Sequence, residues 1–396
     1  MNDLFAHAHI AHQPHLPPLG DACERVLPRS AFAQAVAEIS QWSGYAPTPL
    51  IRLPELAQRL GVAELMIKHE GPRFGLRSFK ALGGAYAGLR ILQREISQAL
   101  GHDVSLADIR AGHHREQARS VTLISATDGN HGRSLAWGAQ RFGAPCRIVI
   151  HAGVSEGRAQ AMRDFGAEVM RIDGDYDASV AKARELAEAN GWFVVSDTSW
   201  PGYHEAPRDV MAGYGVMAQE IVDALPAAPT HVLLQAGVGG LAAAVAAHFQ
   251  QHWGEQAPRV IVVEPEHAAC LLVSAQRDQA TTVPLHQETV MAGLSCGEPS
   301  ELAWAVLRET ARDFVTVPDA LVGPCVRLLA RPPGDDPALE AGESAVAGLA
   351  VAMAACAQPG LREALGLDGD ARVLLIGSEG VTDPEIFQRM MDGHDA

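Results

Sequence analysis

No run in the sequence approaches the roughly 18 consecutive apolar residues that a membrane-spanning helix needs, and the alanine-rich stretch 242–247 is too short. The N-terminus has no apolar signal core: residues 1–20 carry Asp3 and scattered histidines, so a cytoplasmic location is the default expectation. Basic charge is scarce, with 31 Lys and Arg against 47 Asp and Glu. The formal net charge of −16 argues against nucleic acid and anionic membrane as partners, because both would repel it. A small molecule, or a second copy of the chain, is the expected partner. The six cysteines include no Cys-x-x-Cys pair, which removes the usual pattern for zinc or dithiol chemistry. They read as reduced, packed thiols; a pairing of Cys270 with Cys296 is conceivable, but spacing does not support it. His7, His9, His12 and His15 lie in a proline-containing arm with no second cluster, so they read as a loose, solvated tail and no metal site is expected.

What the chain does have is bulk and order. At 396 residues and 47% apolar composition it can bury a large core in two or more domains. From residue 63 onward, short β-rich runs alternate with longer helical patterns. The strand candidates are 65–69, 121–125, 147–151, 169–172, 193–196, 232–234, 260–263 and 373–376. Helical patterns at 132–142, 156–165, 178–190 and 241–251 fall between them. This alternation predicts an open α/β fold with parallel sheets covered by helices. Residues 121–197 read as one compact doubly wound unit, and the turn-rich 331–337 as an exposed loop.

Four segments carry candidate chemistry. In the first, a strand ends at Lys68-His-Glu, a polar loop follows, and a helix begins at Ser78-Phe-Lys80-Ala-Leu-Gly-Gly. An amine at that point can condense with an aldehyde and move protons, although an isolated lysine there reads as a solvated surface residue. In the second, Ala126-Thr-Asp-Gly-Asn-His-Gly132 joins a strand to a helix, where unpaired N–H groups suit a carboxylate; a plain capped turn fits equally well. In the third, Gln235-Ala-Gly-Val-Gly-Gly-Leu241 leaves backbone amides open to a phosphate, as dinucleotide sites and simple tight turns also do. The fourth is a late strand ending at Ser378, which is equally a turn residue.

Together, in this order and over roughly residues 40–385, the segments resemble the fold type II pyridoxal phosphate enzymes, the family of serine and threonine dehydratases, cysteine synthase and tryptophan synthase β-subunits. The resemblance implies two open, twisted, mostly parallel sheets flanked by helices. It divides the chain into a large cofactor-binding domain (1–92 and 198–396) and a small domain (93–197) carrying the substrate-carboxylate loop, and suggests a homodimer. It makes Lys80 the lysine that holds pyridoxal 5'-phosphate and gives the cofactor's phenolic oxygen to Asn130. Its phosphate goes to Gly237, Val238, Gly239, Gly240 and Leu241, and its pyridine nitrogen to Ser378. Thr127, Asp128, Gly129 and His131 become the substrate-binding loop.

Within the family, four segments are similar to the lyases that release ammonia from 2,3-diaminopropionate. They are Ala126-Thr-Asp-Gly-Asn-His-Gly132, Ser196-Asp-Thr-Ser-Trp-Pro-Gly-Tyr203, Gln235-Ala-Gly-Val-Gly239 and Ala292-Gly-Leu-Ser-Cys-Gly-Glu-Pro299. An acid at Asp128, where hydroxy-amino-acid dehydratases carry a small neutral residue, suits a cationic substrate. The resemblance implies that Lys80 serves the L isomer and Asp128 the D isomer as base, with Asp197 in support. Asp197 is alternatively a turn or N-cap aspartate before Thr198-Ser199. Competing expectations are a serine or threonine dehydratase or another β-eliminating or β-replacing relative, a dinucleotide-dependent oxidoreductase, and a catalytically silent carrier.

Overall fold

The computed structural model describes residues 2–127 and 129–394, so Asp128 lies outside the described residues. Eleven strands occur among them: β1 His12–Pro14, β2 Leu50–Arg52, β3 Glu64–His69, β4 Leu123–Ala126, β5 Cys146–Ile150, β6 Glu168–Arg171, β7 Phe193–Val194, β8 His231–Gln235, β9 Arg259–Pro265, β10 Ala311–Val317 and β11 Arg372–Gly377. Six helices bear on the site: α1 Lys80–Leu100, α2 Asn130–Phe142, α3 Tyr176–Asn190, α4 Glu205–Ala224, α5 Gly240–Trp253 and α6 Cys270–Arg277.

The chain divides into two compact units. One comprises residues 1–29, 47–78 and 217–396, the other 30–46 and 79–216. The smaller unit therefore takes in all of α1, the segment 30–46 and most of α4, where the sequence-based boundaries put residues 80–92 of α1, the segment 30–46 and α4 with the larger one. α1 and α2 pack closely enough that a Cβ on Gly138 would stand 2.7 Å from Ala85 Cα, a contact that holds α1 in this unit.

In the larger unit the sheet runs β1-β10-β9-β8-β11-β3-β2, parallel throughout its centre and antiparallel only at the two edges. β8 is buried along its whole length, as expected of a central strand covered on both faces, which explains the apolar run 232–234 at its middle. α5 is buried from Gly240 to Phe249, so its alanines face packed neighbours rather than water. The smaller unit has a fully parallel sheet in the order β6-β5-β4-β7. α3 shows why a helix starts and stops where it does: Asp175 accepts from the Ala178 N–H at one end, and Gly191 turns left-handed (φ 67°) at the other. No single helix among the described residues is long and apolar enough to cross a membrane.

Two expectations are corrected here. The N-terminal arm is not loose: Asn2–His7 is helical, Phe5 is buried in the large core, and β1 pairs antiparallel with β10. His12 Nε2 lies 2.8 Å from Asp313 and His15 Nε2 lies 2.8 Å from the Arg308 carbonyl oxygen. The arm satisfies backbone groups that an edge strand would otherwise expose. Nor is the 331–337 loop simply exposed. Asp336 is buried and accepts from the Glu55 and Leu56 N–H groups at 3.0 and 2.9 Å, serving the otherwise unpaired first turn of helix Pro54–Leu60.

Candidate active site

In the smaller unit, β4 delivers the chain to the Thr127–Gly132 turn at the head of α2. The Thr127 hydroxyl oxygen accepts from the Gly129 and Gly132 N–H groups at 3.1 and 3.2 Å, closing the turn. A Cβ on Gly132 would stand 2.2 Å from Thr127 Cγ2, so glycine is required there. The His131 ring is buried and its Nε2 donates to the Val195 carbonyl at 2.9 Å, a carbonyl that also receives the Ser125 hydroxyl at 2.7 Å. His131 thus ties the turn to the end of β7 through its ring, and Asn130 opens α2, half-buried.

The same strand end carries Asp197. The Tyr203 hydroxyl accepts from the Ser196 N–H at 3.1 Å and donates to the Val194 carbonyl at 2.8 Å, which fixes the backbone on which Asp197 sits. Trp200 stacks on Tyr203 at 4.0 Å under the Arg184 guanidinium, so this aromatic pair serves as packing. Asp197 does not act as a helix cap; its carboxylate receives the Lys80 ammonium. Burial alone would raise the Asp197 pKa. The Lys80 charge, helped by His131 and by the hydrogen bond from Lys80, instead brings it down to about 2. The Lys80 carbonyl receives the Ser134 hydroxyl at 2.6 Å, so α2 also holds the first turn of α1.

The larger unit carries the glycine turn and the late serine. Gly239 is left-handed (φ 96°), and a Cβ on Gly237 would stand 3.2 Å from both Cys296 Sγ and Leu294 Cα. This tight turn opens directly onto the N-terminus of α5, where Gly240 and Leu241 begin the helix. Gln235 donates to the Ile376 carbonyl at 2.6 Å and to the Ser378 hydroxyl oxygen at 2.9 Å. Because Ser378 accepts that bond, its own proton remains available as a neutral donor.

These features fit pyridoxal phosphate: backbone amides at a helix start for a phosphate, a neutral hydroxyl donor for a pyridine nitrogen, and a primary amine for an aldehyde. Behind the glycine turn, Glu264 is buried and accepts from the Leu271 and Leu272 N–H groups, both at 2.7 Å. It therefore caps α6, and burial pushes its pKa up to about 8. All six cysteines, Cys270 and Cys296 included, are free thiols. No group of three or more potential metal ligands occurs among the described residues.

The loop between β3 and α1 is held at its larger-unit end by a buried charge cluster. Arg73 bridges Glu70 and Glu220 with four bonds of 2.8 Å, and Lys68 donates to Glu220 at 2.6 Å. Phe74 (φ 50°) and Arg77 (φ 56°) are left-handed without being glycine, a strain that this clamp and the 2.7 Å bond from Arg77 to the Val381 carbonyl sustain. Sequence reasoning missed this cluster, as it missed Gln235 as the orienter of Ser378. Polar residues inside the apolar β3 run, Lys68 among them, were the available signal.

The turn at α2 and the lysine heading α1 in the smaller unit, and the glycine turn with its serine in the larger, are each features that suit a cofactor-dependent enzyme of amino-acid chemistry. A family model described as "Pyridoxal-phosphate dependent enzyme" matches residues 42–379, and the chain belongs to that family. Diaminopropionate ammonia-lyase of Escherichia coli (strain K12) is 37% identical over 372 residues, covering 91% of this chain and 92% of that protein. Two solved structures of the Escherichia coli enzyme, one in complex with D-serine and one with an aminoacrylate-PLP azomethine reaction intermediate, give TM-scores of 0.89 and 0.87. They are 34% and 33% identical to this chain, and each match covers 98% of both chains.

Proposed function

We propose that this chain eliminates the β-amino group of D- and L-2,3-diaminopropionate, yielding pyruvate and two ammonia with uptake of one water. The reading is carried by the Lys80–Asp197 pair at the head of α1, in a chain so similar to diaminopropionate ammonia-lyase over most of its length. Pyridoxal phosphate, when bound, supplies an aldehyde for primary amines and a ring that absorbs the negative charge left by loss of a Cα proton.

Lys80 would hold the cofactor, and its amine would take the Cα proton of the L isomer. Asp128 takes that of the D isomer and holds the β-ammonium by a charge-assisted hydrogen bond; an ammonium departs where a neutral amine does not. Asp197 orients the Lys80 amine. Asn130 serves the cofactor's phenolic oxygen, and residues 237–241 serve its phosphate. Ser378 serves the pyridine nitrogen without giving it a full positive charge, which restrains transamination. The Thr127–His131 turn, with Gly129 at its centre, holds the substrate carboxylate. The D-serine bound by the Escherichia coli relative supports acceptance of D-amino acids. A cytoplasmic homodimer acting in amino-acid degradation completes the reading.

Borohydride reduction followed by peptide mapping should place the cofactor on Lys80; a label on another lysine overturns the assignment. Asp128→Asn should lose more activity on the D isomer than on the L isomer, and equal losses would remove the two-base scheme.

A further inference from the structure

Among the buried polar groups around Lys80, the Tyr214 hydroxyl has no assigned task. Tyr214, on α4, is buried, and its hydroxyl has no hydrogen-bond partner. The ring is wedged in place: its centroid lies 4.7 Å from that of Phe79, and it crosses Gly83. A Cβ there would stand 2.4 Å from Tyr214 Cε1 and 2.8 Å from Cζ, the carbon bearing the hydroxyl. Phe79 immediately precedes Lys80 and Gly83 follows it by one helical turn, so the ring's polar end is carried to the lysine side chain.

The local field agrees with that placement. Burial raises the phenol's pKa, the Lys80 ammonium opposes the rise, and the Asp197 carboxylate adds to it. Lys80 is the group near enough to become its partner, although the two make no hydrogen bond of good geometry in this state. His131 acts on the same group of charges through Asp197.

An unpartnered hydroxyl costs stability when buried, so its retention calls for a state in which it is satisfied. The lysine provides one. An ammonium offers three donors and no acceptor, whereas a neutral amine has a lone pair that a phenol O–H can reach. A carboxylate neighbour favours the ammonium, yet only the neutral amine attacks an aldehyde or accepts a Cα proton.

We propose that Tyr214 is a positioning residue for Lys80: its phenol donates to the ε-amine once that amine has lost its proton. The neutral amine thereby keeps a fixed partner when the attraction of Asp197 weakens. The proton given up by Lys80 passes to solvent, and Tyr214 keeps its own. This inference rests on the assignment of Lys80 as the cofactor lysine.

The test follows pyridoxal phosphate capture by the cofactor-depleted full chain as a function of pH, in wild type and Tyr214→Phe, with thermal unfolding in parallel. The variant should capture the cofactor about fivefold more slowly at pH 7, the size expected for one lost hydrogen bond. The midpoint of its pH–rate profile should move upward by roughly half a unit or more. Its Tm should not fall, because the hydroxyl removed has no structural partner. Replacing Tyr214 with a fluorinated, more acidic tyrosine keeps the ring and should move the midpoint down. An unchanged midpoint with the cofactor still trapped on Lys80 overturns the role of Tyr214 alone, as does a fall in Tm without a change in midpoint. Cofactor trapped on another lysine overturns the site assignment on which the proposal stands.

Discussion

Replacing Asp197 with asparagine tests the best-defined electrostatic contact in the smaller unit. In the folded chain the carboxyl titrates at about 2 rather than 3.8. At about 1.4 kcal/mol per pH unit, that displacement corresponds to about 2 kcal/mol of net stabilisation of the cofactor-free protein at neutral pH. The side chains are only 13% and 19% exposed, so solvent and salt screen the pair weakly. A carboxyl whose pKa is depressed by folding contributes fully above its unfolded value, and the contribution is lost as pH falls through about 4 towards 2. Asp197→Asn should therefore lower the urea-unfolding free energy of the cofactor-stripped chain by about 2 kcal/mol at pH 7, and by progressively less below pH 4. Tryptophan fluorescence suits the assay, since Trp42, Trp137, Trp192 and Trp200 all lie in the smaller unit. In a Lys80→Met background the same substitution should no longer destabilise. Equal stability of wild type and variant at pH 7, or a difference unaffected by acid, would refute the pairing.

Further outcomes follow from the larger unit. Arg73→Ala leaves Glu70 and Glu220 buried without their shared guanidinium and should cost about 3–5 kcal/mol in chemical denaturation. A loss under 1 kcal/mol would mean the clamp does not sustain the loop ahead of Lys80. Glu264 titrates higher folded than unfolded, so its contribution is present below about 4.5 and is lost as pH rises towards about 8. Wild-type stability should carry an alkaline decline of up to about 1.4 kcal/mol per pH unit from this group. Glu264→Gln should flatten that decline, and parallel profiles for the two proteins would exclude it.

Much of the architecture was legible in the chain because parallel strands buried on both faces must be continuous apolar runs, and their helices must alternate with them. β3, β8, β9 and β11 were visible for that reason. β1 and β2 were not, since three-residue edge strands carry no usable period, and β1 exists only because β10 offers it a partner. The glycine turn and the Lys80 motif were readable as local chemistry. Their supports come from far away in sequence: Asp197 reaches Lys80 across 117 positions, and Ser378 receives Gln235 across 143. Tyr214 sits in an apolar stretch of α4 that reads simply as core, and only its unpartnered hydroxyl and its contacts with Phe79 and Gly83 distinguish it.

The proposed reaction meets its most direct test in a turnover panel with purified, cofactor-loaded protein, scoring pyruvate (or 2-oxobutyrate from threonine) and ammonia from D- and L-2,3-diaminopropionate beside serine and threonine. Both diaminopropionate isomers should be converted, each with two ammonia per pyruvate, and much faster than either hydroxy amino acid. Faster turnover of serine or threonine, or no ammonia from either diaminopropionate isomer, would contradict the assignment.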